Sequence, residues 1–113
     1  MEQIIELIKQ ACAYIKKLIV TVIEGCLNFA RNVVGWCKSL NLQQGRDVPF
    51  IANANQQVFK EMLQKPPVKD VGIFKGVYNE ETDEITHNEY IEADALDQRT
   101  QQVLGKEELV VLA

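Results

Sequence analysis

Residues 1–40 read MEQIIELIKQACAYIKKLIVTVIEGCLNFARNVVGWCKSL, and the expected fold turns on how they are parsed. At the angular step of an α-helix, one apolar stripe runs through Ile4, Ile8, Ala11, Ile15, Leu18, Val22, Cys26, Phe29, Val33, Trp36 and Leu40. Ile5, Cys12, Ile19, Ile23, Ala30, Val34 and Cys37 widen the stripe on one flank, and Leu7 and Tyr14 on the other. Only Val20 and Leu27 fall among the polar residues opposite. The spacing predicts one long amphipathic helix over residues 3–40. Gly25 and Gly35 each cost about 1 kcal/mol in a helix interior. Gly25 marks either a kink or a helical-hairpin turn, and the unbroken phase from Val22 through Cys26 to Phe29 favours the kink.

Such a helix would be about 57 Å long at 1.5 Å per residue. A compact chain of this length is only about 35 Å across. The rest of the protein would not cover the stripe, so the eleven stripe residues are the expected interface, through self-association, docking into a larger complex, or contact with a lipid surface.

Beyond Leu40 periodicity is lost, and Gly45, Asp47 and Pro49 read as a linker over residues 41–52. A small α+β module is expected over 53–113. Its first helix, 53–64, would be capped by Asn53 with Gln56 three residues on. It would bury Val58, Phe59, Met62 and Leu63 and stop at Pro66 and Pro67. Residues 71–92 read as a β-hairpin across the polar connection from Asn79 to Glu84. Asp94 would cap a helix over 95–104, with Asp97 in its first turn and Gly105 just past its end. The apolar run Leu109–Leu112 reads as a last strand. The fold class is thus α+β: a long N-terminal helix, a second short helix, and a ββαβ module with a three-stranded sheet. The last strand is expected beside the first hairpin strand and parallel to the second.

Composition narrows the function. The chain has 113 residues, a net charge of −4 and a pI near 5.0, which disfavours nucleic acid as a partner. Residues 1–40 carry five basic and three acidic side chains, and the remainder seven and thirteen, so the two parts attract. Cys12, Cys26 and Cys37 are odd in number and spread along the predicted helix, which suits reduced apolar residues of a cytoplasmic protein better than disulfides. Cys12 and Cys26 would stand about 21 Å apart along a helix, too far to share a metal. The early residues Glu2 and Glu6 replace the basic start of a signal peptide, and no uncharged run is long enough for a conventional span.

Few residues suggest chemistry. His87, the one histidine, would share a strand face with Ile85, Glu89 and Ile91, a fragment of a general base or metal site without further members. A Cys–His nucleophile pair would need a thiolate, which burial on the apolar face suppresses. Glu80, Glu81, Asp83 and Glu84 crowd a turn without the spacing or glycine of a calcium loop. Gly72 and Gly76 lack the strand–turn–helix setting of a phosphate loop and read as close packing or a bulge. No catalytic, cofactor or metal residue is expected. The reading is therefore a non-enzymatic interaction or assembly protein whose partner is itself or a larger complex. Alternatives are a peripheral membrane protein with an interfacial helix, in which Trp36 meets the headgroups, and a small acidic inhibitor covering a basic surface. No small-molecule substrate is implied.

Overall fold

The computed structural model describes residues 2–15, 19–53, 69, 71–107 and 109–112. Among them the order is α1 (Glu2–Cys12), β1 (Val20–Val22), β2 (Cys26–Leu27), a π-helical turn (Phe29–Val34) running into α2 (Gly35–Ser39), and β3 (Asp47–Asn53). Then come β4 (Val71–Asn79), β5 (Glu84–Ala93), β6 (Ala95–Leu96), α3 (Gln98–Leu104) and β7 (Leu109–Val111). The fold is α+β, as the sequence implies, but the long helix is absent. The molecule is 36 Å in its longest dimension, well short of what that helix would require.

The cause lies in residues 19–23. Ile19-Val20-Thr21-Val22-Ile23 is an unbroken run of β-branched side chains, which lose rotamer freedom in a helix and suit a pleated strand. α1 therefore closes in short turns after Cys12, with Tyr14 N–H donating to Ala11 O and Ile15 N–H to Cys12 O. Gly25 is neither kink nor helical hairpin. At φ +92° it turns the chain from β1 to β2, in a backbone region that glycine occupies without strain.

One five-stranded sheet has the order β1-β5-β4-β3-β7, rather than the three strands expected. β1 joins β5 in parallel; β5, β4, β3 and β7 are successively antiparallel. Residues 47–53, read as linker, form a full strand between β4 and β7. Pro49 is tolerated because its carbonyl, and with it the missing N–H, points away from β4; that carbonyl accepts from Leu112 N–H at 2.8 Å. β7 consequently lies beside β3, not the first hairpin strand, and its direction opposes β5 instead of matching it. The expected 53–64 helix lies outside the described residues, apart from Asn53, which ends β3.

Both sheet faces are covered. On the first, Ile8, Ala11 and Cys12 of α1 pack on Phe50, Ala52, Phe74, Tyr78, Tyr90 and Leu109. On the second, Leu27, Phe29, Val33 and Leu104 pack on Ile51, Ile73, Ile91 and Ala93. β4 serves both faces, as its two-sided bulk implies, and its glycines make room. A Cβ on Gly76 would lie 2.8 Å from the Phe50 ring and 3.0 Å from His87 O.

Candidate functional site

Residues 19–29 run alongside 88–97 and are laced to them by polar side chains. Ile19 N–H donates to Asn88 Oδ1 at 3.2 Å, Gly25 N–H to Asp94 Oδ2 at 2.8 Å, and Phe29 N–H to Asp97 Oδ2 at 2.9 Å. Asp94 is thereby taken from the capping role expected of it. Asp97 caps α3 instead, accepting from Thr100 N–H at 3.0 Å, and Ala95–Leu96 pairs with β2 rather than starting the helix. The Gly25 amide, with Lys69 beside it, holds the Asp94 carboxyl below its ordinary range. Burial works to raise Asp97, but the donors from Phe29 and Thr100 carry it below the ordinary range.

Within this lacing, the β1–β5 ladder uses alternate backbone groups of β1. Tyr90 N–H donates to Ile19 O at 2.7 Å and Ile23 N–H to Glu92 O at 2.9 Å. Alternation in a parallel ladder sends the N–H and C=O of Val20 and Val22 to the other side, where no strand among the described residues meets them. Their side chains are 53% and 46% exposed, on the sheet face that α1 covers further in. Natural edges carry charges, prolines or bulges against pairing with other chains; β1 carries none.

Thr21, between the valines, points to the second face and meets a buried ion pair there. Its hydroxyl donates to Glu89 Oε2 at 2.8 Å. Glu89 Oε1 lies 2.8 Å from Nζ of Lys75, whose side chain is only 3% exposed. The same ammonium donates to Asn32 O in the π-helical turn and stands 4.4 Å from the Trp36 ring centroid. Burial pulls Lys75 below its ordinary pKa, opposed by the Glu89 hydrogen bond and charge. A buried, depressed lysine beside a carboxylate has the composition of a covalent-catalysis site. Here Glu89, Asn32 O and the indole face occupy the ammonium on every side, so the geometry makes Lys75 a peg between sheet and helical layer. Burial pushes Cys37 nearby upward, with the Lys75 charge acting the other way.

The eleven stripe residues do not share a surface. Ile8 and Ala11 are buried under α1, with Ile4 and Ile15 partly so; Phe29 and Val33 are buried on the opposite face. Trp36 and Leu40 are half-buried, Val22 and Cys26 are exposed, and Leu18 lies outside the described residues. His87 is exposed, and a bulge between Val77 and Tyr78 sets Ile85 on the face opposite His87 and Glu89. Its ring Nδ1 lies 3.0 Å from the Thr86 hydroxyl. Cys12 is buried and pushed up to about 12, far from a thiolate at neutral pH. The acidic turn holds Asp83 at φ 57° with its carboxylate on the Tyr78 hydroxyl.

Comparison with protein-family models, curated proteins and solved structures finds no match. No group of three or more His, Cys, Asp or Glu among the described residues is arranged to hold a metal. No helix among them is long and apolar enough to cross a membrane.

Two features of the sequence point to this site. The β-branched run in residues 19–23 signals a strand although it also fits the helical phase. Lys75 stands in the same strand phase as Val71, Ile73 and Val77, and a cation at such a position in a two-sided strand predicts a buried ion pair.

Proposed function

We propose that this chain is a non-enzymatic interaction or assembly module that accepts an extended strand from another polypeptide on its β1 edge. The observation that carries the proposal is the pair Val20 and Val22, half exposed, with backbone groups directed outward at an edge that no strand among the described residues meets. Strand addition uses such an edge twice. Main-chain hydrogen bonds supply attraction, and alternate side chains supply selection. The Thr21–Glu89–Lys75 chain supports this role by fixing the strand from behind, so that little ordering remains to be done on docking.

An alternating Thr-Val hexapeptide is a suitable probe, followed by amide NMR. Docking should shift and protect the Val20 and Val22 amides, and N-methylation of alternate peptide residues should abolish the effect. Perturbation confined to other residues, or none at millimolar peptide while light scattering shows the chain to be monomeric, would sink the proposal.

A further inference from the structure

Residues 19–23 read Ile-Val-Thr-Val-Ile, a palindrome centred on Thr21. Palindromy has a physical meaning in an antiparallel pair: a two-fold axis through the central residue sets each side chain opposite its own kind. We propose that the strand accepted by the β1 edge is β1 of a second copy, paired antiparallel about Thr21 to give a continuous ten-stranded sheet across the dimer. This rests on the strand-addition role of β1 proposed above.

The backbone phase permits this register. In an antiparallel ladder, residues whose N–H and C=O face the partner sit opposite one another as hydrogen-bonded pairs, alternating with pairs that face away. Val20 and Val22 face outward, while Ile19, Thr21 and Ile23 face β5. Centring on Thr21 sets Val20 opposite Val22 of the mate and Val22 opposite its Val20, so all the outward groups of both copies are used. Centring on Val20 or Val22 leaves one of the two valines facing chain beyond β1.

Side chains follow the same symmetry. Val20 and Val22 share the face of their β5 partners Tyr90 and Glu92. Across the axis they meet Val22 and Val20 of the mate on that face, and the exposed valines of both copies close into one apolar cluster. No charged residue interrupts the run. A parallel mate would lose the two-fold pairing.

The test combines mass with a register-specific trap. Light scattering of the full chain should give twice the 12.8 kDa monomer mass, and Val22→Lys should reduce it to the monomer. Retention of the wild-type circular dichroism by Val22→Lys shows that the loss is not unfolding. Thr21→Cys, in a Cys26→Ser background that removes the exposed native thiol, should form an intermolecular disulfide on mild oxidation. Directly opposed residues in such a pair stand about 4.5 Å apart at Cα, within disulfide reach. Val20→Cys in the same background should not cross-link, because its counterpart is displaced along the mate. A chain that stays monomeric at every concentration, yet still binds the Thr-Val hexapeptide at Val20 and Val22, overturns the self-pairing and leaves the edge role standing. A dimer that survives Val22→Lys and resists the Thr21→Cys cross-link places its interface elsewhere and overturns the self-pairing; only if it also fails to bind the hexapeptide at Val20 and Val22 does the edge role fall with it.

Discussion

Removing either member of the Lys75–Glu89 pair should destabilise the protein, but by unequal amounts, and burial predicts which way. The Lys75 side chain is 3% exposed and that of Glu89 is 22% exposed. Glu89→Gln leaves an almost fully dry ammonium with neutral acceptors alone, the Gln amide oxygen and the Asn32 carbonyl, beside the Trp36 face, and stranding a buried charge costs about 3–5 kcal/mol. Lys75→Met leaves the carboxylate partly in water and still bonded to Thr21. It also relieves the desolvation that depresses the lysine, and it fills the space with a chain of similar length. What remains is one deprived carbonyl, on Asn32, for about 1–3 kcal/mol. The single changes should therefore cost about 3–4 and about 2 kcal/mol, and the double change about 2, since neither charge is then stranded. Urea unfolding followed by the fluorescence of Trp36, the one tryptophan, and by circular dichroism would measure all three. Refutation would be a Lys75→Met cost equal to or above that of Glu89→Gln, or single costs that simply add in the double variant. Either would mean that the ammonium is not the drier, more dependent partner.

Other outcomes follow from single contacts. Gly76→Ala should cost about 1–3 kcal/mol in the same urea assay, because its Cβ meets the Phe50 ring at 2.8 Å and the His87 carbonyl at 3.0 Å, and backbone cannot yield as a side chain does. Asp97→Ala should cost about 2 kcal/mol, since it uncaps α3 and also deprives Phe29 N–H; Asp97→Asn should recover only the cap at Thr100, because its amide NH2 cannot accept from Phe29 N–H. In alkali, Cys12 raised by burial to about 12 keeps its proton in the folded chain while the unfolded thiol ionises at 9.0. Its contribution is thus whole below pH 9 and lost as pH rises toward 12, with a slope of up to about 1.4 kcal/mol per pH unit. Denaturation midpoints from pH 8 to 11 should fall less steeply in Cys12→Ala.

What the sequence discloses, and what it conceals, can be traced to particular residues. The stripe Ile4–Ile8–Ala11–Ile15 identifies α1 and its buried side because polar residues alternate with it at helical spacing. The hairpin over 71–92 is legible from its strand residues and polar turn, and the closing strand from its apolar run. Concealment begins at Leu18. An apolar run broken only by Thr21 fits a period of two as well as one of 3.6, so Leu18, Val22 and Cys26 fall in the helical phase. β-branching in residues 19–23 is the better signal, and it points to a strand. Pro49 hides β3 in a different way. Proline within a strand is allowed only where its nitrogen needs no partner, and that depends on where β7 ends. Asp94, the cap expected from sequence, is claimed instead by the Gly25 amide, far away in the chain, and Asp97 caps α3.

The two edges of the sheet are built differently, and the contrast bears on what β1 is for. β7 has no exposed residue in its three, and α3, which leads into it, packs beside it. β1 has two half-exposed valines in its three and no charge, proline or bulge to deter a mate. An edge that no strand among the described residues covers is a standing aggregation risk, one that Val22→Lys would remove at little cost to the β1–β5 ladder. Its stability demands do not require Val22 either, because the polar lacing at Asn88, Glu89 and Asp94 already holds the segment. Self-pairing about Thr21 resolves the tension. A two-fold mate uses the outward groups of both copies and leaves neither β1 edge open. The proposed pairing is closed: it would form a dimer and stop, whereas pairing that left an edge free would propagate.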